Sequence, residues 1–197
     1  SQQRLCRYST KEGGDTVYGY NNADEMTSYQ KGLSHAGDGG ACSSPSGVAK
    51  VSLSYDTLGR QTVTNFAHSG TPDIARTYDD NNNILTLNRD SGATAVNWVY
   101  AYNELDLLTN ESLTVDSETF DLDYFYNSSG NMVFKRFPSN RLLRYTPDGL
   151  GRATYIHDSN RDYASNYTFH ASGTPTQITY GNGHLYSKTL NSRLLPQ

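Results

Sequence analysis

The amino-acid sequence predicts an all-β fold made of tandem antiparallel hairpins. Three observations predict it. Tyrosine is abundant, with 16 Tyr against 6 Phe and 1 Trp. A six-residue pattern opening on Tyr-Asp or Tyr-Asn recurs along the chain. No segment of 11 residues places apolar side chains at helical spacing, so almost no helix is expected. Tyr and Thr suit half-buried pleated surfaces, and 17 Gly with many Asn and Asp supply turn chemistry.

The repeat is read by aligning tyrosines, because missing an internal repeat miscasts a whole fold. Tyr55-Asp56-Thr57-Leu58-Gly59-Arg60 serves as the template. Copies begin at Tyr78-Asp79, Tyr102-Asn103 and Tyr126-Asn127, the last with Gly130 at its fifth position. Weaker copies begin at Tyr20-Asn21, Pro147-Asp148 (with Gly151 and Arg152) and Phe169-His170 (with Gly173). A degenerate copy is read at Lys188-Thr189-Leu190-Asn191-Ser192-Arg193. The first positions are 20, 55, 78, 102, 126, 147, 169 and 188, with spacings of 35, 23, 24, 24, 21, 22 and 19. The long first spacing has a visible cause, a Gly/Ser/Ala loop inserted at 34–47.

Each position of the motif has a physical task. Asp or Asn at the second can accept a backbone N–H two residues on and start a turn. The fifth is Gly59, Gly130, Gly151 or Gly173, or else Asp24, Asn82 or Asp106, residue types that tolerate a left-handed backbone. Together these describe a type I turn closed by a left-handed residue, a common hairpin loop. Two residues before the motif stand Tyr18, Tyr100, Tyr124, Tyr145, Tyr167 and Tyr186. Residues two apart share a strand face, so Tyr18/Tyr20, Tyr100/Tyr102 and Tyr124/Tyr126 put paired rings on one side. Thr27, Thr62, Thr109, Thr154 and Thr176 recur after the turn at one offset, as strand formers. The organisation expected is an N-terminal strand region with a partial repeat at 1–17, a hairpin array over 18–193, and the start of a truncated strand at 194–197.

Charge and motifs exclude several functions. Net charge is -4 and the basic residues are scattered, so neither nucleic acid nor an anionic membrane is an expected partner. No apolar run approaches 18 residues, so no membrane insertion is expected. Cys6 and Cys42 are too few for a disulfide framework and lack metal-ligand spacing. They form either one candidate disulfide or two free thiols.

No constellation for catalysis emerges, and no cofactor or metal is expected. His35, His68, His157, His170 and His184 include no His-x-x-x-His pair. Asp79, Asn81, Asn83 and Asp90 match calcium-loop spacing, but Ile84 replaces the required Gly and the stretch falls on a repeat turn. Gly37-Asp38-Gly39-Gly40 lacks the Lys-Ser/Thr of a phosphate loop. Asp121 and Asp123 share a strand face, which suits a solvated surface better than glycoside chemistry. The sequons at Asn110, Asn127 and Asn166 are read as chance in an Asn-rich chain.

The Tyr-Asp-x-x-Gly-Arg units, with Tyr180-Gly181-Asn182-Gly183, resemble the tyrosine-aspartate (YD) repeats of bacterial Rhs proteins, insecticidal toxin complex B and C components and teneurins. The resemblance runs from about Tyr18 to Arg193. It implies a curved, spiralling sheet of long hairpins, part of a hollow shell. That family's Asp-Pro-x-Gly self-cleavage motif is not in this sequence. The expectation is a non-catalytic segment cut from a longer extracellular or cell-surface protein. Its partners would be flanking repeats of the same polypeptide, or other copies of the chain, meeting at open sheet edges. The alternative is an adhesion module binding carbohydrate through exposed Tyr.

Overall fold

A computed structural model of the chain describes residues 4–12, 14–33, 42, 50–68, 70–90 and 95–197. The loop at 34–47 lies outside them except for Cys42, and so do His35 and Gly37 to Gly40. The described residues hold sixteen strands: β1 (Arg7–Thr10), β2 (Gly14–Tyr20), β3 (Met26–Leu33), β4 (Lys50–Tyr55), β5 (Gln61–Phe66), β6 (Asp73–Tyr78), β7 (Ile84–Asp90), β8 (Val96–Tyr102), β9 (Leu108–Val115), β10 (Glu118–Tyr126), β11 (Met132–Arg136), β12 (Leu142–Pro147), β13 (Ala153–His157), β14 (Asp162–Phe169), β15 (Pro175–Tyr180) and β16 (Leu185–Ser187). They contain no helix. The strands lie in one open sheet in chain order, so each hairpin lies beside the next. Two compact units make up the chain: Ser1–Val99 with Leu113–Glu118, and Tyr100–Ser112 with Thr119–Gln197.

Sequential antiparallel order puts successive connections at opposite strand ends. In each unit the Tyr-Asx motifs therefore share one end of the sheet. Their turns are closed by two backbone bonds. The Asp56 N–H donates to Arg60 O at 2.9 Å, and the Gly59 N–H donates to Asp56 O at 3.1 Å. The same pair of bonds recurs from Asn21, Asp79, Asn103, Asn127, Asp148 and His170. All seven positions read as left-handed have positive φ, from 58° at Asp106 to 87° at Gly173.

The eighth turn departs from the sequence reading. Its bonds start at Asn191 and close at Leu195, with Leu194 left-handed at φ 61°. The degenerate motif is thus Leu190–Leu195, two residues beyond Lys188–Arg193. The segment 194–197 closes this turn and pairs back through a bridge from Pro196 to Leu190 and a bond from the Gln197 N–H to Thr189 O at 3.1 Å. Leucine is a poor left-handed residue, which is why the sequence pattern pointed elsewhere.

The recurring threonines have a task that strand propensity does not describe. Ser54 pairs with Val63 and Tyr55 with Gln61, so Thr62 is an extra, bulged residue. Thr27, Thr154 and Thr176 are skipped in the same way. At two of these bulges the hydroxyl turns back across the hairpin, from Thr62 to Ser54 O at 3.3 Å and from Thr154 to Thr146 O at 2.9 Å. Bulging beside the turn increases local twist.

Little of the described chain is fully buried. The buried apolar residues are Val17 and Ala164, and the buried polar ones include Asp15, Gln30, Thr64 and Asp158. The Asp15 carboxylate, wholly removed from solvent, is paired with Arg7. Elsewhere the strands alternate. Ala75 and Thr77, Arg144 and Thr146, and Asn166 and Thr168 are exposed, while Arg76, Tyr145 and Tyr167 between them are half-buried. A sheet face with partial cover suits Tyr, which buries a ring and keeps a polar tip.

The turn geometry gives a test at neighbouring glycines. Gly151 has φ +80°, and a Cβ added there would strike Asn131 Oδ1. Gly149 has an ordinary φ and open space around it. Gly151→Ala should destabilise by about 1–2 kcal/mol or more, and Gly149→Ala should lie between neutral and about 1 kcal/mol stabilising. Urea unfolding measures both.

Candidate functional site: the tyrosine and turn ladder

The motif side chains form two layers of contact, one within a turn and one between hairpins. Within the turn, the second-position side chain caps the loop. Asp56 Oδ1 accepts the N–H groups of Leu58 and Arg60, both at 2.9 Å. Asp79, Asn103, Asn127, Asp148 and Asn191 repeat this with their own turns. His170 substitutes its Nδ1, which accepts the Ser172 N–H at 3.1 Å. The sixth-position side chain clasps the second: Arg60 to Asp56 at 2.7 Å, Arg152 to Asp148 at 2.8 Å, Asn83 to Asp79 at 3.0 Å and Asn21 to Glu25 at 2.6 Å.

These bonds hold the turn carboxylates ionised. Arg152 and the turn N–H groups lower the Asp148 pKa below the usual carboxylate value. The Arg60 N–H, then its guanidinium, do the same for Asp56, and Asn83 for Asp79. Asp79, the first residue of the calcium-like spacing, thus spends its oxygens on its own turn. The Asp90 side chain lies outside the described residues, and no metal-ligand cluster occurs among the described ones.

Between hairpins, the first-position tyrosine reaches backwards. Tyr55 Oη donates to Met26 O at 2.8 Å, Tyr78 Oη to Gln61 O at 2.7 Å and Tyr126 Oη to Leu108 O at 2.8 Å. Each acceptor is the first strand residue after the preceding motif turn. Tyr20 makes a similar bond to Leu5 O at 3.1 Å. The motif arginine reaches forwards. Arg60 lies 4.8 Å from the Tyr78 ring centre and donates to Asp79 O at 2.6 Å. Arg152 lies 4.0 Å from the Phe169 ring centre, a cation–π contact that keeps the forward link where no hydroxyl is available.

Of the tyrosines preceding the motif, Tyr18, Tyr100, Tyr124, Tyr145 and Tyr167 are half-buried and Tyr186 is exposed. Burial, then the Glu111 carboxylate that accepts its hydroxyl proton at 3.1 Å, pushes Tyr124 up to about 12. Burial raises Tyr55, Tyr100, Tyr126, Tyr145 and Tyr167 above the ordinary phenol value. Tyr155 is raised by its bond to Asp162. Asp123 pairs with Arg136 at 2.8 Å and accepts from Asn110 at 2.9 Å, and His157 stacks on Tyr155 at 4.4 Å. Cys6 and Cys42 lie with their Cα atoms 5.3 Å apart, inside the disulfide range.

Sequence reasoning saw the rings but missed the hydroxyl ladder.

No protein-family model and no curated protein matches the chain. Solved structures match in fold. The crystal structure of TcdB2-TccC3-TEV has a TM-score of 0.65 over 91% of this chain, at 17% identity. The Photorhabdus luminescens Tc holotoxin pore with a TccC3 mutation has 0.56 over 94%, at 12% identity. The chain spans only 10% and 12% of those chains. The likeness is therefore one of fold: this sheet of hairpins is similar to a part of a Tc toxin chain.

The ladder makes a paired prediction. Tyr126→Phe removes a hydroxyl that bonds Leu108 O and should cost about 1 kcal/mol in urea unfolding. Tyr145→Phe, at a half-buried ring with no described hydroxyl bond, should cost under about 0.5 kcal/mol.

Proposed function

We propose that the chain is a non-catalytic structural segment of a larger secreted or cell-surface bacterial protein of the YD-repeat kind. Its hairpins form part of a shell, stalk or fibre wall. The observation that carries this reading is where the repeated chemistry goes. The motif Tyr, Asx, Gly and Arg residues satisfy their own turns and the neighbouring hairpins, so the repetition builds an array. The fold likeness to Tc toxin chains supports the same reading.

In this reading the outer strands β1 and β16 meet further repeats of the same polypeptide or other copies of the chain, because unpaired strand edges recruit strands. A Cys6–Cys42 bridge would hold the inserted loop to the N-terminal edge, and such a bond suits an oxidising, extracellular setting. Carbohydrate recognition through exposed tyrosine draws less support, since Tyr20, Tyr55, Tyr78 and Tyr126 are half-buried with their hydroxyls bonded to backbone carbonyls.

Alkaline titration separates the two. A tyrosine whose folded pKa is raised stabilises the fold below about pH 10, and that contribution is lost as pH rises through the folded value. Seven tyrosines have raised values, with Tyr124 at about 12. A wall-building role predicts that much of the phenolate absorbance appears late and together with loss of the β circular dichroism signal. Ionisation of nearly all rings near pH 10, with the sheet intact, would favour the binding role.

A further inference from the structure

At the other end of the second unit's strands, two turns repeat the motif geometry without its carboxylate, one at Tyr180–His184 and one at Phe137–Arg141. The Phe137 N–H donates to Arg141 O at 3.0 Å, the Asn140 N–H donates to Phe137 O at 2.8 Å, and Asn140 is left-handed at φ 61°. Arg141 thus occupies the place of Arg60 and Arg152. Those two rest on Asp56 and Asp148 of their own turns. Phe137 stands where the aspartate would be, and among the described residues Arg141 has no carboxylate partner.

The Arg141 guanidinium instead lies over two rings, 4.7 Å from the centre of Phe137 and 5.8 Å from that of Tyr163. Its Nη1 approaches Tyr163 Oη at 3.5 Å. Arg161 comes to the same ring at 5.2 Å and to the same hydroxyl, through Nε, at 3.2 Å. Tyr163 Oη donates to Asp158 Oδ2 at 2.6 Å. Two guanidinium groups therefore converge on one hydroxyl beside one carboxylate. Asp158 is buried, and its other oxygen already accepts the N–H groups of Asn160 and Arg161.

Beside this pair lies a hollow of about 410 Å³, lined by Ser139, Asn140, Arg141, Arg144, Ser159 and Asn160 with Leu142. It brings a second guanidinium together with hydroxyl and amide groups, and no carboxylate lines it. Arg144 is itself placed over the Phe134 ring at 4.9 Å. Ring contacts hold both guanidinium groups beside the hollow, and a planar guanidinium fork matches the oxygens of a tetrahedral anion.

We infer that this hollow is an oxyanion-binding site, with Arg141 and Arg144 contacting a sulfate or phosphate group and Ser139 and Ser159 supplying further donors. The group can arrive as a free ion or attached to a small hydrophilic molecule such as a sugar. The inference does not depend on the structural role proposed above.

Isothermal titration of the whole chain in low-salt chloride buffer tests it, with inorganic sulfate, inorganic phosphate, glucose 6-phosphate and glucose as separate probes. Saturable binding of the anionic probes and none of glucose is expected. Tighter binding of glucose 6-phosphate than of inorganic phosphate identifies an anion carried on a sugar, and equal binding identifies the free ion. Arg141→Gln should weaken binding at least tenfold, Arg141→Lys should lose part of it, and Arg136→Gln, at a residue paired with Asp123, should leave it unchanged. Guanidinium Nε–H chemical shifts of the unaltered protein give a readout independent of any variant, and sulfate should move those of Arg141 and Arg144. No saturable binding, shifts spread evenly over all arginines, or equal binding by a folded Arg141→Gln variant would overturn the assignment.

Discussion

The bond from a motif tyrosine hydroxyl to the backbone carbonyl of the preceding hairpin is the contact on which the rest of this architecture depends. A single sheet with so few fully buried apolar side chains cannot draw its order from a deep core. Ladder hydrogen bonds join its strands but tolerate slippage where neither face is strongly buried. Tyr55, Tyr78 and Tyr126 remove that freedom, because each hydroxyl reaches one particular carbonyl. The register of one hairpin is thereby passed to the next.

Turn chemistry makes that transfer possible. The Asx cap, the left-handed fifth residue and the bulged threonine together fix where each hairpin reverses. Arg60 and Arg152 tie the turn to the following aromatic residue, so the hairpin that carries Tyr55 and Arg60 is held from both sides. The same economy explains the composition. Tyr serves as half-buried apolar surface and as hydrogen-bond donor, and Asp serves as turn cap and as anchor for Arg. Side chains spent in this way have little left for catalysis at the motif itself, which is why chemistry is better sought where the pattern breaks, as at Phe137 and Arg141.

Much of the fold was legible from the sequence because turn residues leave local signatures. Gly59, Gly130, Gly151 and Gly173, with Asp24, Asn82 and Asp106, marked the reversals without reference to any distant contact. The last reversal was misplaced by two residues because Leu194, a residue type with no turn signature, takes the left-handed conformation. The bulge at Thr62 and the bond from Tyr78 to Gln61 were hidden for a different reason. Both depend on which residue lies across the sheet, and spacing along one strand carries no such information. The Arg141 cluster was illegible for the same cause, since Arg161 and Tyr163 meet it only through the next hairpin.

Native-state hydrogen exchange on a Tyr78→Phe variant tests most directly whether hairpins are held by their successors. If the hydroxyl carries register backwards, amides of the preceding turn, notably Gly59 and Arg60, lose protection along with those around Asp79. If protection falls only within the hairpin that contains residue 78, and the preceding turn exchanges as before, the ladder does not bind one hairpin to the next.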